Sequence, residues 1–168
     1  MSIHFILGGA RSGKSAYAEQ LAKIQTQPVT YIATARADDV EMQARIQHHQ
    51  AQRPENWATL EVSENLGLVL NKLKADACVI VDCLTLWMMN CFAQHPKLNT
   101  QAIDAFVEAL NSFEGDLILV SNEISMGVVP MGALSRDYVD ALGRLHQQIA
   151  ARADRVTLMV AGLPMTVK

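Results

Sequence analysis

Five short runs along the chain are apolar at nearly every position rather than at every second one: IHFIL (3–7), VTYIAT (29–34), CVIVD (78–82), DLILVS (116–121) and VTLMVA (156–161). Continuous apolar runs of this length are expected of strands in a parallel sheet that is covered on both faces. Between the runs the spacing becomes helical. Leu66, Val69, Leu70 and Leu73 follow Ser63; Ile103, Phe106, Val107 and Leu110 follow Asn99 and Thr100; Tyr138, Leu142, Leu145 and Ile149 follow Ser135. Each set recurs at three and four residues behind a candidate N-cap, the mark of an amphipathic helix. Strands alternating with helices predict right-handed crossovers and a three-layer α/β domain with a mostly parallel sheet. Pro164 and the terminal MTVK predict a turn into a short last strand, an antiparallel edge pairing being one option. Ligands of such folds gather at the carboxyl ends of the strands, so chemistry is to be sought just after each apolar run.

The length of 168 residues, half of them hydrophobic, suits a single domain spanning 1–168. A net charge of -3 excludes the broad basic field that nucleic-acid binding needs, so an anionic ligand would be gripped by a compact site. Cys78, Cys83 and Cys91 are odd in number and lack CxxC spacing, which predicts reduced, buried thiols rather than disulfides or a zinc site. The first apolar run is short, has no positive region before it, and is followed at once by glycines. It resembles neither a signal peptide nor a membrane span, and a cytoplasmic protein is expected.

The first predicted strand leads into Gly8, Gly9, Ala10, Arg11, Ser12, Gly13, Lys14 and Ser15, which match G-x-x-x-x-G-K-[ST]. Glycines at this spacing let backbone N–H groups turn inward around phosphate oxygens, the lysine reaches the β and γ phosphates, and the hydroxyl ligates Mg²⁺. The fold class expected is therefore an α/β, P-loop NTPase-like domain. Asp82 closes a buried strand at the same edge; it either supports the magnesium ion or caps the helix beginning near Leu84. A guanine-reading N-K-x-D element is missing, SNEI at 121–124 being the nearest match, which argues against a switch GTPase.

After the second strand the chain reads TARADDVEMQARIQHHQAQRPENW (34–57). Asp38 or Asp39 can cap a helix running toward Pro54, and helical spacing then separates the adjacent His48 and His49 by about 100°. His49 falls on the stripe with Met42 and Ile46; His48 falls with Glu41, Arg45 and Gln52 on the polar side. His48 is thus the candidate reactive imidazole. Arg45, one turn earlier, would disfavour its protonated form and keep the ring nucleophilic near neutral pH.

GGARSGKS, YIATA (31–35), EMQARIQHHQAQRPENW (41–57), VDCLT (81–85), SNEISMGVVP (121–130) and DALGRLHQQIAARAD (140–154) together resemble the bifunctional adenosylcobinamide kinase and adenosylcobinamide-phosphate guanylyltransferase family of cobalamin biosynthesis. The resemblance implies an enzyme that phosphorylates adenosylcobinamide with ATP or GTP, then transfers GMP from GTP to adenosylcobinamide phosphate through a GMP–histidine intermediate. By motif matching His48 carries the GMP and Lys14 assists, with Mg²⁺ held by Ser15 and Asp82. Nucleotide contacts are carried over to the Gly8–Ser15 loop, to Thr34, Ala35 and Arg36, to His49, Gln50, Ala51 and Gln52, and to Glu61 and Asp82. Glu61 and Asp82 are the candidates for a guanine-reading carboxylate, the other reading of Glu61 being an exposed charge near an edge strand. Asn122 and Glu123 follow the fourth apolar run at the ligand edge, so SNEISMGVVP could help form the corrinoid or phosphate site; alternatively Met126, Val128 and Val129 form an apolar subunit contact, and the family resemblance implies a homotrimer. His4, His95 and His146 stand alone in sequence and are expected to be structural or solvated. Two other readings compete: a P-loop small-molecule kinase with structural histidines, and a nucleotide-binding regulatory subunit.

Overall fold

A computed structural model describes residues 2–36, 43, 50, 53–73, 76–94 and 100–168. Its elements in chain order are β1 (Ser2–Gly8), α1 (Lys14–Lys23), β2 (Val29–Ala33), β3 (Ala58–Glu61), α2 (Leu66–Leu70), β4 (Cys78–Asp82), α3 (Leu84–Gln94), α4 (Thr100–Ser112), β5 (Asp116–Val120), α5 (Ala133–Arg152), β6 (Arg155–Val160) and β7 (Leu163–Thr166). The strands form one sheet in the order β3-β2-β4-β5-β1-β6-β7. All pairs are parallel except β6 with β7, whose antiparallel pairing makes the terminal edge.

Both faces of the central strands are covered, which is why their sequences are continuously apolar. On one face Phe5, Val79, Val81, Leu117 and Leu119 pack with Leu66, Trp87, Phe106, Leu110, Leu145 and Ile149 from the four helices α2 to α5. Ile6, Ile80, Ile118 and Val120 point the other way, onto Ala18 and Ala22 of α1. The two small alanines give α1 its bearing surface over β4 and β5. Cys78, Cys83 and Cys91 are buried and free. No helix among the described residues is long and apolar enough to cross a membrane.

The helix starts differ from the sequence pattern. Asn65, not Ser63, is the N-cap of α2, and no side chain closes that cap. The turn is held from outside instead: Trp87 Nε1 donates to Glu64 O at 2.6 Å and Asn90 Nδ2 to Ser63 O at 3.1 Å. α5 begins at Ala133 behind Gly132, which puts Ser135 inside the first turn rather than before it. Arg136 Nη1 reaches back to Pro130 O at 3.1 Å and Met131 O at 2.5 Å, tying down the preceding loop. β3 is the strand absent from the apolar runs. Its sequence ATLE is exposed at every position on the sheet edge, so burial never demanded an apolar signature there.

Candidate phosphate-binding active site

The Gly8–Ser15 loop joins β1 to α1, and two of its glycines are required by geometry. Gly8 has φ +152°, and a Cβ there would lie 2.6 Å from both Met159 O and Ser12 Oγ. Gly13, the N-cap of α1, sits at φ +94° in the left-handed region. The loop is braced from below by the β6–β7 turn. Ala161 (φ 49°) and Gly162 (φ 83°) form a two-residue hairpin loop with both central φ values positive, and Gly162 N–H donates to Ser12 O at 3.0 Å. Lys14 is buried and lies across the loop, donating from Nζ to Gly9 O at 2.6 Å and Ser12 Oγ at 3.4 Å. Burial lowers the pKa of its ammonium group, and the nearby Cys83 and Asp82 oppose that shift. Ser15 is half-buried in the first turn of α1.

Strand register brings the other candidates to the same edge. Ala33 pairs with both Glu61 and Asp82, Asp82 with Val120, and Val120 with Ile6, two residues before Gly8. Asp82 Oδ2 accepts the Tyr31 hydroxyl at 2.7 Å. Burial, then the Asp82 charge, push the Tyr31 phenol far above its ordinary value, so it remains a donor. Arg53 lies over the Tyr31 ring with its guanidinium carbon 3.5 Å from the centroid, and its Nε and Nη1 are buried with no hydrogen-bond partner among the described residues. Unpaired guanidinium donors suit an anionic ligand.

Thr34 is fully buried, and its hydroxyl bridges the backbone of Cys83: it accepts from Cys83 N–H at 2.8 Å and donates to Cys83 O at 2.7 Å. The peptide bond between Asp82 and Cys83 is cis. Ala35 is half-buried, while Arg36 and Glu61 are exposed at the carboxyl edge. Gln43 and Gln50 are helical and exposed; His48, His49, Ala51 and Gln52 lie outside the described residues. The fold thus gathers Gly8–Ser15, Thr34–Arg36, Asp82 and Glu61 along one edge. Ser15 and Asp82 supply hard oxygen donors of the kind Mg²⁺ takes. Among the described residues no group of three or more His, Cys, Asp or Glu side chains converges as a metal cage would.

A second cluster escaped the sequence pattern. Ser121 Oγ lies 2.8 Å from His146 Nε2 and 3.1 Å from Thr85 Oγ1, and His146 Nδ1 faces Glu123 Oε2 at 3.9 Å. Burial holds the His146 pKa down at about 4 although Glu123 pulls it up, so the ring is neutral near pH 7. Its one sequence signal is position: His146 falls on the apolar stripe of α5 with Leu142 and Ile149, where an imidazole needs a partner.

A family model described as cobinamide kinase / cobinamide phosphate guanyltransferase matches residues 4–167. The bifunctional adenosylcobalamin biosynthesis protein CobP of Pseudomonas aeruginosa is 52% identical over 165 residues, covering 97% of this chain and 95% of that protein. The corresponding protein CobU of Escherichia coli is 36% identical over 178 residues, with 97% of this chain and 98% of that protein covered. Among solved structures, the RadB recombinase superposes with a TM-score of 0.53 over 94% of this chain and 73% of its own, at 14% identity. That likeness concerns the fold alone.

Proposed function

This chain belongs to the cobinamide kinase / cobinamide phosphate guanyltransferase family, and from that membership we infer that it phosphorylates adenosylcobinamide and then converts the phosphate to adenosylcobinamide-GDP. The observation that carries the reading is the phosphate loop itself, with buried Lys14 lying across it and Asp82 on the same sheet edge. The backbone N–H groups of a phosphate loop, with a buried cation beside them, stabilise charge where phosphoryl transfer develops it. Mg²⁺ held by Ser15 and Asp82 would neutralise charge on the phosphates. Lys14 serves both steps, binding the triphosphate whose γ group is transferred in the first and whose pyrophosphate departs in the second.

In the second step His48 attacks the α-phosphorus of GTP, pyrophosphate leaves, and the phosphoramidate formed passes GMP to adenosylcobinamide phosphate. Arg53 supports this role for His48. It stacks on Tyr31, whose hydroxyl donates to Asp82, and the five residue steps from His48 to Arg53 limit their separation to about 17 Å. Glu61 at the exposed end of β3 is the carboxylate suited to guanine N1–H and its 2-amino group. Met126, Val128, Val129 and Met131 are strongly exposed, and this apolar surface supports self-association, as a trimer. The nucleotide substrates suit a cytoplasmic enzyme.

The reading is tested by incubating the purified protein with adenosylcobinamide, Mg²⁺ and either ATP alone or GTP, then separating products by chromatography with mass detection. ATP alone is expected to give adenosylcobinamide phosphate and GTP to give adenosylcobinamide-GDP; neither product at any protein concentration would refute it.

A further inference from the structure

The Ser121–His146–Glu123 cluster stands beside the phosphate loop, and the direction of its hydrogen bonds follows from its chemistry. His146 Nδ1 faces the Glu123 carboxylate at 3.9 Å. A lone pair on that nitrogen would oppose a negative charge, so Nδ1 carries the ring proton. Nε2 then accepts from the Ser121 hydroxyl at 2.8 Å. Ser121 Oγ in turn is open to the Thr85 hydroxyl at 3.1 Å, and Thr85 Oγ1 accepts Asn122 N–H at 2.7 Å. The ring is wedged in place by an edge contact with Phe5 at 5.4 Å between centroids. Serine, histidine and carboxylate recur in nucleophilic hydrolases, but here the order of exposure is inverted. Ser121 is fully buried and cannot attack a substrate, whereas the Glu123 side chain retains 15% exposure and is the end that meets solvent.

The position of that carboxylate is fixed from three directions. Glu123 N–H donates to Gly8 O at 3.0 Å, which fastens the residue to the first glycine of the phosphate loop. Oε1 accepts from both the N–H and the hydroxyl of Ser125, and Oε2 faces His146. The next residue, Ile124, lines an apolar groove of about 530 Å³ with Met89, Phe92, Leu134 and Tyr138. Glu123 therefore stands between a phosphate-binding loop and an apolar surface, where an acceptor with a large apolar body would present its hydroxyl.

We propose that Glu123 is the base of the kinase step, removing the acceptor hydroxyl's proton as that oxygen attacks the γ-phosphorus, with His146 as the positioning residue for its carboxylate. The inference rests on the function proposed above and deepens it. In the step, the O–H bond breaks and the O–P bond forms. The bond from γ-phosphorus to the β–γ bridging oxygen breaks, and its electron pair leaves with the nucleoside diphosphate. The proton stays on Glu123 until water takes it. The GMP-transfer step needs no such base, because its acceptor is already a phosphate anion.

Glu123→Gln is expected to lower kcat for adenosylcobinamide phosphorylation on the order of 10²-fold or more with KM little changed. GMP transfer to supplied adenosylcobinamide phosphate should continue in the same variant. In Glu123→Ala, added formate should restore part of the lost kinase turnover, which no purely structural role explains. His146→Gln should lower kinase kcat less than Glu123→Gln does, without a matching change in KM. Glu123→Gln with wild-type kinase turnover would overturn the proposal, as would equal loss of both activities without rescue by formate. If the wild-type protein performs neither step, the function itself fails, and this inference falls with it.

Discussion

His146 sits 7% exposed on α5 with its pKa pushed down to about 4 by burial, while an unfolded histidine titrates near 6.5. The folded state therefore takes up this proton later than the unfolded state as the pH falls. The residue costs nothing above pH 6.5, and its destabilisation grows between pH 6.5 and about 4; the acidic group facing the ring is Glu123. A difference of this size amounts to about 3 kcal/mol. Denaturant melts of the wild type and His146→Gln at several pH values check this. The wild type is expected to lose more stability between pH 6.5 and 4, and parallel curves would contradict it. Residue chemistry was legible in the sequence where it was local. Gly8 to Ser15 are contiguous, so their spacing carries the geometry of the loop. Ser121, Glu123 and His146 are brought together only by α5 packing against the end of β5, and no local pattern records that. Thr34 shows the converse: its place after β2 was legible, but its engagement with the Cys83 backbone depends on β2 lying beside β4.

Elements were read reliably where burial dictated their pattern. The five apolar runs correspond to β1, β2, β4, β5 and β6 because each is covered on two faces. β3 lacks that pattern because it is exposed, and the start of α2 was misplaced because Trp87 and Asn90 hold it from another helix. The contact of α2 with α4 gives an element-level test. A Cβ on Gly67 would fall 2.5 Å from Ala105 O and 2.7 Å from Phe106 N. Alanine is the better helix former by about 1 kcal/mol. The clash is with backbone, which cannot swing aside, and overpacking of this kind costs about 1–3 kcal/mol. Gly67→Ala is expected to lower the thermal midpoint; a rise in that midpoint would show that α2 can move away from α4 at little cost.

Over the whole molecule, parallel strands in register deliver loop after loop to one edge, so residues distant in sequence share a site without any single element spanning it. The phosphate loop, Asp82, Glu61 and Glu123 all emerge there. In the proposed function the same loop would present a γ-phosphoryl group in one step and hold a departing pyrophosphate in the other. The two proposed transfers differ in the group that acts: the Glu123 carboxylate would take a proton from the acceptor in the first, and the His48 imidazole would take GMP from GTP in the second. The histidine pair was divided by helical geometry in the sequence, and His48 itself lies outside the described residues. Its role is open to direct measurement. The protein is incubated with α-labelled GTP and magnesium, and the denatured chain is then examined for bound label. Acid-labile, base-stable label is expected on the wild type and on His48-retaining His49→Ala, and none on His48→Ala. Absence of label from the wild type while GTP demonstrably binds, or its persistence in His48→Ala, would contradict it.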